Sequence, residues 1–130
     1  KKTGKKIVNI GQDYIDRLKN RDFYGGMDTS VQEFLGLFKN ADYVVTNSFH
    51  GTAFSIIFER QFYVETKQKD FKKNDRAENL LKLTGLTDSI IESLDDCKLD
   101  IYRDFGTARK VIAEEKARAL SYLNGICVDE

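Results

Sequence analysis

The sequence has no net charge, few residues that could bind zinc or form disulfides, and no long apolar run. Its 21 Lys and Arg balance 21 Asp and Glu, which excludes a general electrostatic attraction to nucleic acid or to an anionic membrane. Cys97, Cys127 and the single histidine fit no standard zinc spacing, so we expect two reduced thiols, no metal site and no cofactor. No apolar stretch approaches the ~20 residues of a transmembrane helix. Any anion must therefore bind in a local pocket.

The length and composition are those of one soluble domain. The chain has 130 residues, of which 41% are hydrophobic and 32% charged, and it contains no repeat, low-complexity segment or linker. We therefore predict a single α/β domain over residues 1–130. The chain begins at Lys1 without a methionine or a secretory signal. We expect it to be part of a longer protein that works in the cytoplasm or at the inner face of the membrane.

Three short β-branched or aromatic runs predict strands. They are residues 6–11 (KIVNIG), 43–46 (YVVT) and 61–65 (QFYVE). The second run is apolar without alternation, which is typical of a strand covered on both faces. We therefore expect residues 43–46 to form the central strand.

Four segments have the apolar spacing of helices. The first begins with the capping box Ser30-x-x-Glu33, and Gly85 can end the third. The second is apolar on nearly every side, which predicts deep burial, and the fourth has one apolar stripe along its length, which predicts docking on the surface of the domain. The four segments are residues 31–38, 52–59, 77–84 and 107–124. Their alternation with strands predicts an α/β, Rossmann-like fold with a mostly parallel sheet flanked by helices.

The loop after the YVVT run is the main candidate site, because open α/β sheets bind ligands at the carboxyl ends of their strands. Asn47 begins this loop, Ser48 and Thr52 offer hydroxyls, and Gly51 allows close approach of the backbone. The helix that follows would present free N–H groups and a partial positive charge to phosphate or carboxylate. His50 could donate a hydrogen bond or a proton. The alternative is structural, since Ser and Thr often only cap helices.

A basic run, residues 67–76, follows the third predicted strand. It could be a solvated loop, or it could bring Arg76 to the same edge of the sheet as His50, where a guanidinium can clamp an anion. The run lacks the interleaved aromatic residues of a single-strand binding groove, so we expect no nucleic-acid partner. The P-loop, G-x-G-x-x-G and G-x-S-x-G patterns are all absent.

Two stretches of the sequence resemble a known family. They are residues 33–62 (EFLGLFKNADYVVTNSFHGTAFSIIFERQF) and residues 75–86 (DRAENLLKLTGL), and they resemble the C-terminal half of the polysaccharide pyruvyl transferases. The SFHG element with the apolar helix after it is the most specific part of this resemblance.

The resemblance implies a two-domain enzyme of the GT-B type, of which this chain would be the C-terminal, donor-binding domain. Such an enzyme transfers pyruvyl from phosphoenolpyruvate to two sugar hydroxyls as a ketal, on a surface or exported glycan whose acceptor sugar can be lipid-linked. The resemblance makes His50 the catalytic residue, as acid or anion contact. The donor-binding residues would be Asn47, Ser48, Gly51, Thr52 and Arg76, and the missing N-terminal domain would contribute acceptor contacts.

Two other functions remain open from the sequence. A half-domain of a nucleotide-sugar glycosyltransferase shares this architecture and would place a diphosphate on the same helix N-terminus. A non-catalytic module that binds sugar or anions could also use the scaffold, because fold does not fix function.

Overall fold

A computed structural model describes residues 4–8, 10, 29–65, 75–98, 100 and 102–126. The chain divides into two units, Lys1–Leu37 and Phe38–Glu130. The helices and strands of the described residues are α1 (Val31–Asn40), β1 (Tyr43–Thr46), α2 (Phe49–Ile57), β2 (Gln61–Glu65), α3 (Asp75–Thr84), β3 (Ile90–Ile91) and α4 (Gly106–Ile126), with 3₁₀ turns at Thr87–Ser89 and Leu94–Asp96.

The three strands form one sheet in the order β1-β2-β3. Both pairs are parallel: Tyr43 lies opposite Gln61, and Val64 lies opposite Ile90. Helices connect the strands, as parallel pairing requires. The predicted α/β class with a parallel sheet flanked by helices is therefore confirmed.

The core of the second unit lies between the sheet and the helices α2, α3 and α4. Phe62 and Val64 alternate with Tyr63 along β2, so they share one face of the sheet. Their cluster also contains Ile56, Leu81, Leu86, Phe105 and Ala108. The Tyr63 hydroxyl accepts a hydrogen bond from the Lys98 N–H at 2.9 Å, which fixes the segment before α4 to the strand.

Two strand predictions are wrong in the described residues. Residues 4–8 and 10 form no strand, and Ile7 is 72% exposed; residues 9 and 11 of the predicted strand lie outside the described residues. The strand at residues 43–46 exists, but it is at one edge of the sheet, where Val45 is 50% exposed. The central strand is β2, because both other described strands pair with it. The strand β3 was not predicted from the sequence.

All four predicted helices exist, with two corrections. The second begins three residues earlier than predicted, at Phe49, and its most buried face consists of Gly51, Thr52, Ser55 and Ile56. The fourth does not dock along its whole length: Ala108 is buried, whereas Leu123 is 54% exposed. The apolar stripe of α4 continues past the part of the helix that reaches the core.

The capping box at the start of α1 is formed as predicted. The Ser30 N–H and hydroxyl both donate to Glu33 Oε2 at 2.9 Å, and the Glu33 N–H donates to Ser30 Oγ at 3.2 Å. The backbone hydrogen bond from Ser30, and then the hydroxyl, hold the pKa of the Glu33 carboxyl below its ordinary value. The ionised carboxylate is the form that completes this cap.

We expect the start of α1 to loosen in acid. A carboxyl whose pKa is lower in the folded state contributes stability above its unfolded pKa and loses it as the pH falls through the folded pKa. Amide hydrogen exchange at Ser30 and Phe34 should therefore accelerate, relative to the rest of the chain, as the pH falls below the ordinary Glu value. Glu33→Gln should remove this pH dependence, and an unchanged profile in that variant would contradict the assignment.

Candidate functional site

The loop after β1 leads directly into α2 and leaves backbone donors open. Ser48, the N-cap, has the extended backbone of that position (φ −104°, ψ 139°), and its side chain makes no capping hydrogen bond. Its own N–H donates to Thr46 Oγ1 at 3.1 Å. The N–H groups of Phe49, His50 and Gly51 come next, and in the first turn of a helix these have no intrahelical acceptor. This end of α2 can therefore donate to an anion.

Two hydroxyls on the buried side of α2 serve the helix backbone. Thr52, fully buried, donates to the Ser48 carbonyl at 3.0 Å, and Ser55 donates to the Gly51 carbonyl at 2.7 Å. Thr52 was predicted to bind the donor. In this structure its hydroxyl bonds within the first turn of α2, and its contact with the donor stays a prediction.

Arg76 lies beside this helix end, on a different element. It is the second residue of α3, and its guanidinium carbon is 5.2 Å from the centre of the Phe49 ring. The Phe49 ring meets the His50 imidazole edge to face, with centroids 5.7 Å apart and an interplanar angle of 76°. His50 and Arg76, which are far apart in the sequence, thus contact the same aromatic side chain. Residues 67–74 of the predicted basic run lie outside the described residues.

The electrostatics of this surface favour an anion. The first turn of α2 contains no acidic residue. On α3, Glu78 forms an ion pair with Lys82 at 3.9 Å. Across the described ranges, no carboxylate forms an ion pair with Arg76. The helix end and the guanidinium both contribute positive potential, and exposed side chains at Asn47, Ser48, His50 and Arg76 make the surface accessible.

A cavity of about 300 Å³ lies at the opposite end of α2, between that helix and α4. Ile56, Phe105 and Ile112 line it, together with Glu59 and Arg109. Those two side chains form a 2.9 Å ion pair with each other. None of the predicted site residues lines this cavity. The candidate site is instead an open surface formed by the amino ends of α2 and α3.

We expect Gly51→Ala to destabilise the fold and disturb this surface. A Cβ on Gly51 would lie 2.9 Å from Thr46 Cβ and closer still to Thr46 Oγ1. Thr46 cannot move away cheaply, because its hydroxyl accepts the Ser48 N–H. Overpacking of this kind typically costs about 1–3 kcal/mol, which urea unfolding would measure. Gly36→Ala is the control, since a Cβ there meets no atom within 4 Å; equal losses in both variants would contradict this explanation.

Two residues of this region were not predicted from the sequence. Phe49 contacts both His50 and Arg76. Thr46 accepts the hydrogen bond of the Ser48 N–H, and its side chain occupies the space where a Cβ on Gly51 would lie. An aromatic residue at the first position of the helix, directly before the histidine, was the available signal for Phe49. Nothing in the sequence marked Thr46 beyond its place at the end of a strand.

Two further features of the described part of the chain concern metal ions and membranes. No group of three His, Cys, Asp or Glu side chains there could hold a metal ion. No helix of that part combines the length and the apolar character needed to cross a membrane. Cys97 is half-buried, and Cys127 lies outside the described residues.

Comparison with known proteins gives a family. The chain has no match among curated proteins or among solved structures. The family model of polysaccharide pyruvyl transferase matches residues 1–65, half of the chain. This match includes β1, α2 and β2, and with them the open helix end and His50; Arg76 lies outside it. The chain belongs to the polysaccharide pyruvyl transferase family.

Proposed function

We propose that this chain binds phosphoenolpyruvate at the amino end of α2, as the donor domain of a pyruvyl transferase that acts on a surface or exported glycan. Family membership supports the transferase activity. One observation carries the donor site: the first-turn N–H groups of α2, at Phe49, His50 and the buried Gly51, have no intrahelical acceptor, and they lie beside an arginine without a carboxylate partner among the described residues. A phosphate or carboxylate is the group that such donors complement.

The proposed chemistry gives each part of the site a task. Protonation of the donor's methylene carbon by His50 makes it a methyl group and leaves an oxocarbenium-like centre at the neighbouring carbon. One sugar hydroxyl adds to that centre, and a second displaces phosphate to form the ketal. One hydroxyl proton replaces the proton taken from His50, and the other leaves with inorganic phosphate. The N–H groups and Arg76 hold the donor's anionic oxygens during this sequence.

The acceptor is expected to bind elsewhere. The described surface at α2 and α3 has the chemistry of an anion site, and a glycan or lipid-linked sugar would need further contacts. We therefore propose that a preceding N-terminal domain, arranged as in GT-B enzymes, faces this surface and contributes the acceptor residues. Asn47 and Ser48, exposed at the rim of the helix end, would then lie on the donor side of the shared cleft.

An NMR titration tests the donor site directly. Phosphoenolpyruvate, inorganic phosphate and a nucleotide sugar would each be added while the amide signals of residues 48–52 and the His50 ring are followed. We expect saturable shifts at these amides with phosphoenolpyruvate, and weaker binding in Arg76→Gln. Arg118→Gln is the matched control, because it removes the same charge from an exposed position on α4.

The same titration separates the alternatives. Preference for the nucleotide sugar would favour a glycosyltransferase half-domain. Binding of phosphate with no preference for phosphoenolpyruvate, together with no pyruvyl transfer by the intact protein, would favour a non-catalytic anion-binding module. Shifts confined to residues outside α2 and α3 would contradict the proposed location.

A further inference from the structure

The described arginines differ in what their N–H groups contact. Four of the five donate to protein acceptors, whereas Arg76, within the same described ranges, donates to none. The four are Arg60, which donates to the Phe58 carbonyl, Arg103, which donates to the Asp88 carbonyl, and Arg109 and Arg118, which donate to Glu59 and Glu115. The guanidinium of Arg76 lies over the ring of Phe49.

A cation–π contact can localise a guanidinium without using its N–H donors. The ring face attracts the charge of the planar group, with the guanidinium carbon of Arg76 5.2 Å from the Phe49 centroid and within the roughly 6 Å range of such contacts. This contact does not use N–H donors as hydrogen bonds do. Arg76 is therefore localised while its donors stay available for an anion.

The position of Arg76 would otherwise be unfavourable. It lies in the first turn of α3, where the helix dipole disfavours a cation. It is also an exposed side chain with many rotamers, and ordering it on a ligand costs conformational entropy. Phe49 opposes both costs, because its half-buried ring is fixed at the start of α2 and gives the guanidinium one preferred place.

We propose that Phe49 is a positioning residue, whose ring holds Arg76 beside the open N–H groups of α2 so that both act on one bound anion. This inference rests on the proposed function for the identity of the anion. The arrangement of Phe49, Arg76 and the helix end would suit any phosphate group. Phe49 touches no reacting atom in this scheme. It contributes to binding through Arg76. The same ring also contacts His50, the other candidate residue, edge to face.

The test uses two variants of Phe49, one control variant at Phe58 and a double-mutant cycle, with inorganic phosphate and phosphoenolpyruvate as probes. Phe49→Leu keeps an apolar side chain and removes the aromatic face, and Phe49→Tyr restores the face. We expect Phe49→Leu to weaken binding of both probes about two- to fivefold, the range for an exposed cation–π contact, and Phe49→Tyr to bind nearly as the parent does. Phe58→Leu, at the other end of α2 where the ring stacks on Phe54, should leave affinity unchanged.

Two readouts distinguish positioning from a general structural effect. In ligand-free protein, the Arg76 Nε–Hε signal should shift in Phe49→Leu and return in Phe49→Tyr, because the ring current of Phe49 acts on it. In the background of Arg76→Gln, Phe49→Leu should no longer weaken binding. Additive losses, an unmoved Arg76 signal, or no binding of either probe would overturn the inference. Coupled binding of phosphate without binding of phosphoenolpyruvate would support it and overturn the proposed function instead.

Discussion

Replacing His50 with glutamine is expected to lower the kcat for pyruvyl transfer by about 10²–10⁴-fold, while the affinity for phosphoenolpyruvate changes little. A positioned general acid typically contributes that much to rate. Glutamine can still donate a hydrogen bond to the donor's oxygens from a similar place, but it cannot supply a proton to carbon. The two roles that the sequence left open for His50, acid and anion contact, are thereby separated by one substitution.

The measurement is phosphate release from phosphoenolpyruvate by the intact protein with a glycan acceptor, beside a binding titration of the same variants. His50→Ala should lose both rate and affinity, because it removes the hydrogen-bond donor as well. Arg118→Gln, which changes an exposed residue of α4, should behave as the parent. Near-normal turnover in His50→Gln would rule out the acid role and leave His50 as an anion contact. Near-normal turnover in His50→Ala would remove it from the mechanism.

The sequence predicted those elements whose signal is local. The capping box of Ser30 and Glu33 and the glycine at residue 85 mark helix ends that the structure confirms, with Gly85 in a left-handed conformation (φ 71°). The strand at Gln61–Glu65 has the β-branched and aromatic residues that suit a pleated surface. In each case neighbouring residues carry both the signal and the interaction.

The errors concern partners that are distant in the sequence. Residues 6–8 have the composition of a strand, but composition supplies no neighbour for a strand to pair with. The four residues of β1 are typical of a strand that is covered on both faces. Whether a strand is central or at an edge, however, depends on which strands pair with it. The two residues of β3, Ile90–Ile91, are too few to show any periodicity. They are placed by pairing with Val64 and Glu65.

The candidate site shows the same division. The position of the loop after a strand, and of a helix after the loop, follows from the local pattern, and the structure places Ser48, His50 and Gly51 at that helix end. The contact between Phe49 and Arg76 could not be predicted, since it depends on the packing of α2 against α3. Nor could the inward hydrogen bond of Thr52, because a threonine at this position can face either ligand or backbone.

The second large effect is expected outside the candidate site, at Arg103. Its side chain is 3% exposed, and its guanidinium carbon lies 4.4 Å from the centre of the Tyr63 ring. Its backbone N–H donates to the Gln61 side chain at 2.8 Å, and Nη2 donates to the Asp88 carbonyl at 3.1 Å. The segment before α4 is thereby fixed to the amino end of β2. Within the described structure, Nη1 is buried without a hydrogen-bond partner.

We expect Arg103→Ala to destabilise the protein by about 2–4 kcal/mol, by analogy with other large-to-small changes at buried positions. Arg103→Met should cost less than about 1.5 kcal/mol, because it keeps most of the buried volume and removes a charged group whose donors are incompletely satisfied. The ion pair with Asp88, at 3.3 Å, adds little to the stability, since the Asp88 side chain is 62% exposed.

Urea unfolding of the parent and both variants at neutral pH would measure these free energies. If methionine proved as damaging as alanine, the charge of Arg103, through Asp88 and the Tyr63 ring, would be the stabilising feature, and packing would not. The expected order would mean that Arg103 stabilises the fold mainly through its shape, in contrast to Arg76, whose charge and open donors are the basis of the proposed anion site.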